Sequence, residues 1–156
     1  MNKVTPFLWF NDEAEAAAEF YCSVFPHTNK LSEMRVGEAG PGPVGSLLIV
    51  ELEIEGQQVT FMNGGPHFKL SEAFSFVVRC ETQEEIDAYW AKLTEGGSES
   101  QCGWLKDKFG VSWQIVPVGL AELLRPPAAM KAMMGMVKLD IAALKAAGGA
   151  IEQLPR

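Results

Sequence analysis

CGWLKDKFGVSWQIVP, residues 102–117, is the stretch whose reading decides the fold. It opens on a tryptophan-bearing segment and turns through Asp107-Lys108-Phe109-Gly110. It then returns as Val111-Ser112-Trp113-Gln114-Ile115-Val116. The return run is rich in β-branched and aromatic residues and stops at Pro117, the signature of a strand. Gly110 can supply the positive φ of a tight reversal, and a charged turn is expected to stay in water, with Asp107 in a structural role. The run therefore predicts an antiparallel hairpin carrying Trp104, Trp113 and one inward-leaning amide, Gln114. An amide among Trp113, Ile115 and Val116 needs a hydrogen-bond partner or a ligand. Gln114 is thus the first candidate for a polar group facing a cavity.

Upstream of the hairpin, one pattern occurs twice. Val4 to Phe10 reads as a short strand, kept at an edge or bulge by Pro6. Asp12-Glu13-Ala14-Glu15 is a capping-box pattern, followed by an apolar helical stripe at Ala17, Phe20, Tyr21 and Val24 that Pro26 ends. Leu31 to Val36 is a weak strand signal and Ser46 to Ile54 a strong one, and Gly56 turns the latter into Gln57 to Met62. Glycines and prolines make 38–45 a loop, and Asn63-Gly64-Gly65-Pro66 a second break. Phe74 to Val78 then reads as a strand and Thr82-Gln83-Glu84-Glu85 as another capping box. A second stripe follows at Ile86, Tyr89, Trp90 and Leu93, ended by Gly96-Gly97. The repeat distance is roughly seventy residues, an internal duplication in pattern. The expected organisation is a domain over 1–118 built from units 1–66 and 67–118. The two units are expected to share a sheet or core. A helical extension over 119–156 follows, with Met130, Met134, Val137, Ile141 and Leu144 on one stripe.

The bulk properties exclude several classes. A net charge of −7 opposes a nucleic-acid surface, which needs clustered lysine and arginine. No apolar run approaches a membrane span, and no basic-then-apolar leader opens the chain, so a cytoplasmic location is expected. Cys22, Cys80 and Cys102 are odd in number and widely spaced, the pattern of free thiols.

Three runs carry a family resemblance: TPFLWFNDEAEAAAEFYCSVFP, FMNGGPHFKLSEAFSFVV and QCGWLKDKFGVSWQIVP, joined by the helix QEEIDAYWAKL. Together they resemble the vicinal-oxygen-chelate superfamily of glyoxalase I, bleomycin-resistance proteins and extradiol dioxygenases. More narrowly, they are similar to its PhnB-like branch, often labelled as a demethylubiquinone methyltransferase domain. The resemblance implies an α+β fold of two βαβββ units forming a curved half-barrel of mixed sheet, followed here by the helical extension. It also implies a homodimer. Catalytic relatives hold a divalent metal with His, Glu or Gln side chains on the first and a later strand of each unit, and the metal acts as a Lewis acid.

The implied ligand set is mostly missing. Gln114 stands where a glutamate is usual, and an amide oxygen carries no charge to offset a dication. The first strand has no imidazole or carboxylate, and Ala73-Phe74-Ser75 stands where a histidine is expected. Asn63 replaces a glutamate, and His67 falls in the joining loop. No metal or other cofactor is therefore expected. The ligand-binding candidates are Trp9, Asn63, His67, Trp104, Trp113 and Gln114. Asn63 also reads as a turn residue, His67 as a solvated loop histidine, and the tryptophans as sheet filling. The function expected is that of a metal-free small-molecule-binding protein of the glyoxalase and bleomycin-resistance type. The alternative is a divalent-metal-dependent lyase, isomerase or dioxygenase using Gln114, Asn63 and His67, and the sequence leaves open whether a reaction is catalysed. A methyltransferase is not expected, because no glycine-rich strand-to-helix turn for S-adenosylmethionine is present.

Overall fold

The computed structural model describes residues 2–152. The chain divides into two compact units between Leu70 and Ser71. No helix among the described residues is long and apolar enough to cross a membrane.

In the first unit β1 (Phe7–Phe10) leads into α1 (Ala14–Val24), and β2 (Thr28–Arg35), β3 (Leu47–Ile54) and β4 (Gln57–Asn63) follow. The sheet order is β1-β4-β3-β2, with β1 and β4 parallel and the other pairs antiparallel. Leu8, Phe10, Val50, Leu52, Val59 and Phe61 form the buried sheet face. The helix buries Ala14, Ala17, Ala18, Tyr21 and Val24, one step round from the expected stripe, and Phe20 is only half-buried. Alanines on this face let the helix lie close to the sheet, and Tyr21 fills the remaining space against Phe61. Burying an aromatic of this size contributes about 2–3 kcal/mol. Glu55 and Gly56 both have positive φ, the conformation of the tightest hairpin turn. Glu55 tolerates it because its amide donates to the His27 carbonyl and its carboxylate accepts from the His27 amide.

The second unit repeats the order with β5 (Ser75–Cys80), α2 (Gln83–Thr94), β6 (Ser98–Glu99), β7 (Trp104–Lys106) and β8 (Ser112–Pro117). Its sheet runs β5-β8-β7-β6, again with the first and last strands parallel. The duplicated βαβββ pattern read from the sequence is therefore the fold, and each unit has its own open four-stranded sheet rather than a shared one. Thr82 caps α2 as expected, its hydroxyl accepting from the Glu85 amide. Ile86, Trp90 and Leu93 are buried.

The residues after Pro117 form α3 (Leu120–Leu123), α4 (Pro127–Met134) and α5 (Ile141–Glu152). The single stripe expected over 130–144 is interrupted. Gly135 closes α4, and the connection to α5 is tied down along its length. The Cys102 and Gly103 amides donate to the carbonyls of Met136 and Val137, at 2.8 and 2.7 Å. The side-chain amide of Gln83 donates to the Leu139 carbonyl and accepts from the Ile141 amide. Leu139 and Leu144 are fully buried, whereas Met130 and Met134 face solvent. Gly103 has a φ of +85°, and a Cβ there would crowd both the Ile115 carbonyl and Leu139. Glycine is required at that crossing.

The hairpin of β7 and β8 is held from inside. Its charge predicts a solvated turn, yet Asp107 is 3% exposed. The Asp107 carboxylate accepts from the amides of Phe109 and Val111 and from Trp113 Nε1, at 2.9, 3.0 and 2.9 Å. The turn backbone curls over the carboxylate, and Gly110, at φ +86°, completes it. Replacing the carboxylate strands three N–H donors, two of them in bonds buried from water. Asp107→Ala should therefore lower unfolding free energy by about 3 kcal/mol. Urea denaturation followed by tryptophan fluorescence measures it, and a change below about 1 kcal/mol would show that the turn holds without its carboxylate.

Candidate functional site

Alternation along β7 and β8 divides the hairpin between two faces. Leu105, Trp113 and Ile115 point into the core with Ile86 and Leu93. Trp104, Lys106, Ser112 and Gln114 occupy the opposite face, in two ladder rows. Trp104 pairs with Gln114 and Gln114 with Val77, while Lys106 pairs with Ser112 and Ser112 with Ser75. Gln114 is half-buried, and its Nε2 donates to Ser75 Oγ at 3.0 Å. The Lys106 ammonium bonds the Glu72 carboxylate. Ser112 is 2% exposed, and its hydroxyl has no hydrogen-bond partner. Beside these lies a cleft of about 170 Å³ lined by Glu72, Ser98, Ser100, Trp104, Lys106 and Ser112, among others.

Of the residues singled out in the sequence, Trp104 and Gln114 lie together on this face. Trp113 is on the core side, its indole N–H satisfied by Asp107 and its ring 4.9 Å from that of Phe76. Trp9, Asn63 and His67 belong to the first unit. Trp9 donates from Nε1 to the Gly65 carbonyl at 2.9 Å and meets Phe68 edge-on at 5.0 Å. Its indole lies so close over Gly64 that a Cβ there would overlap the ring. His67 is exposed. Asn63 has a specific structural task. Its Oδ1 accepts from the Ala14 amide at 2.8 Å, and its Nδ2 donates to the Leu47 carbonyl at 3.1 Å. The capping box expected at Asp12–Glu15 makes no side-chain cap, and the last residue of β4 supplies it instead.

Sequence reasoning passed over Glu72, Lys106 and Ser112. The signal available was position: Ser112 and Gln114 are two apart on one strand, so they share a face.

Most of the polar groups on this face are already engaged with one another. Gln114 already holds Ser75, and the Lys106 ammonium already takes up the Glu72 carboxylate. Among the described residues, no three His, Cys, Asp or Glu side chains converge. Burial pushes the Cys80 thiol up to about 12, with the charge of Glu85 adding to the shift, so it offers no thiolate near neutral pH.

The family model described as 3-demethylubiquinone-9 3-methyltransferase matches residues 2–116. A Bacillus cereus structure described by the same activity and as a PhnB protein is 35% identical. The match covers 75% of this chain and 100% of that one, with a TM-score of 0.69. PA1353 from Pseudomonas aeruginosa is 18% identical over 75% of this chain and 98% of its own, with a TM-score of 0.62. A mutant of FosX, a fosfomycin resistance protein from Listeria monocytogenes, was solved with Mn(II) and 1S,2S-dihydroxypropylphosphonic acid. It is 14% identical over 80% of this chain and 100% of its own, with a TM-score of 0.59. The two more distant likenesses show the fold. Comparison with curated proteins gives no match.

The geometry assigns Asn63 to folding, and that can be checked. Asn63→Ala removes a helix cap and a second partly buried bond, so it should cost about 2 kcal/mol in chemical denaturation. Unchanged stability with impaired ligand binding would instead make Asn63 a pocket residue.

Proposed function

We propose that this chain, which belongs to the 3-demethylubiquinone-9 3-methyltransferase or PhnB-like family of the vicinal-oxygen-chelate superfamily, binds a small organic molecule without using a metal. The observation that carries the reading is the pair Ser75 and Gln114. Gln114 stands where metal-using relatives are expected to place a glutamate, Ser75 lies in the Ala73-Phe74-Ser75 run where they are expected to place a histidine, and here the two bond each other. On the same face the Glu72 carboxylate is taken up by Lys106 rather than left for a cation. Trp104, on the same side of the sheet, offers an aromatic wall, and half-buried polar groups beside an aromatic are the usual make-up of a small-molecule site.

The geometry gives no support to methyl transfer from S-adenosylmethionine. That chemistry in its common fold uses a glycine-rich turn from strand to helix in a parallel sheet. Here β1 reaches α1 through Asn11-Asp12-Glu13 and β5 reaches α2 through Glu81-Thr82, and each sheet has a single parallel pair.

The same proposal makes the protein a homodimer. Phe7 and Met34 are more than half exposed on the first unit, and both sheets have open edges. Apolar surface and free strand edges of this kind call for a cover.

Elemental analysis after extensive dialysis should find no stoichiometric zinc, manganese, nickel or iron. Mass spectrometry of the same preparation should recover a copurified organic ligand that chelator treatment leaves bound. A metal at one per chain would replace the proposal with the metal-dependent enzyme. Light scattering at micromolar concentration should give twice the chain mass of 17.0 kDa, and a monomer would end the dimer part.

A further inference from the structure

Lys106 and Glu72 form an ion pair whose location needs an account. Two thirds of the Glu72 side chain is in solvent, and exposed pairs of this kind add little to stability. The partner of Lys106 across the ladder is Ser112, whose hydroxyl is buried and bonded to nothing. Folded proteins satisfy nearly all such groups, and an orphan hydroxyl beside a lysine is a ready donor for an incoming oxyanion. Ser112, Lys106 and Glu72 line one cleft, with Trp104 among its walls.

We propose that Lys106 and Ser112 form an oxyanion-recognition subsite for the carboxylate of a small ligand, and that the Glu72 carboxylate holds the Lys106 half of it in the free protein, leaving the Ser112 hydroxyl unmet. The inference rests on the small-molecule-binding reading above and names the class of ligand. A carboxylate is what the lysine already holds. Glu72 and Glu99 both line the cleft, so a dianion would meet two carboxylates against one ammonium, which favours a singly charged ligand. The Lys106 hydrogen bond holds the Glu72 carboxyl below the usual carboxylate range, so Glu72 remains an ionised competitor at neutral pH. It sits on the exposed 71–74 segment, from which it can give way. The ligand's apolar body then lies along Trp104, an edge or face contact that needs no rearrangement of the sheet.

Benzoate and its neutral isostere benzamide separate charge recognition from simple burial. Titrations followed by backbone-amide NMR should show benzoate binding about tenfold more tightly than benzamide, the worth of one charge-assisted hydrogen bond. Lys106→Met should erase that ratio, and Lys106→Arg should keep most of it. Glu72→Gln, on an exposed segment where folding is not at risk, should tighten benzoate binding and leave benzamide unchanged. Ser112→Ala should weaken benzoate while leaving stability equal or higher, because it removes an unsatisfied buried hydroxyl. Equal affinities for the two probes, a ratio indifferent to Lys106→Met, or benzoate affinity unmoved by Glu72→Gln would each overturn the subsite. Equal binding of both probes would do so while leaving the small-molecule reading in place. A stoichiometric metal in the purified protein would remove that reading by a separate measurement.

Discussion

Asp107 gathers two turn amides and the Trp113 indole N–H around its carboxylate oxygens, within a reversal of four residues, and the second unit depends on that arrangement. A carboxylate taken out of water is stable only when its lone pairs are met, and here the turn itself meets them. Trp113 is thereby held on the core side, and strand alternation does the rest. With Trp113 inward, Ser112 and Gln114 must face the other way, beside Trp104 and Lys106. A slip of one residue would put the tryptophan outside and the polar pair into the core. The candidate site therefore depends on a bond that touches no ligand.

The two units reach the same topology with different fastenings. In each, the first and last strands run parallel, and the register places Phe10 beside Asn63 and Cys80 beside Pro117. Asn63 and Pro117 are thus equivalent positions. In the first unit that position reaches the start of α1 and caps it, so the local capping box is not used. In the second unit proline has no side-chain donor or acceptor to offer, and Thr82 caps α2 from its own sequence. Duplication preserved the backbone plan and left each half to satisfy its helix start separately.

This difference also shows where the sequence could be read and where it could not. The strand and helix periods were local, so the βαβββ repeat, the Gly56 hairpin and the Thr82 cap were all legible. Asn63 was not, because its partners Ala14 and Leu47 are 49 and 16 residues away. The charge of Asp107 pointed to a solvated turn, and nothing local revealed that Trp113 and two amides would enclose it. The methionine stripe failed for a related reason. Its helical period runs on through 135–140, but the chain there leaves the helix and is bonded to Cys102 and Gly103, contacts made across more than thirty residues. Gln114 could be singled out as an amide in need of a partner. That the partner is Ser75, on another strand, follows only from the parallel pairing of β5 and β8.

The face left by these constraints is not what folding alone would select. An unpartnered hydroxyl buried at Ser112 costs on the order of 1–3 kcal/mol, and alanine would fit a buried strand position without that cost. Lys106 beside it gives up part of its hydration for a bond to a carboxylate on an exposed segment. Elsewhere in the same unit, Asp107, Gln83 and Thr82 each meet the backbone groups that need them. Local inconsistency inside an otherwise satisfied framework is where function is to be sought. In the second unit that inconsistency falls in one cleft, and it combines a lysine held by a solvent-facing glutamate, a free donor and an aromatic wall.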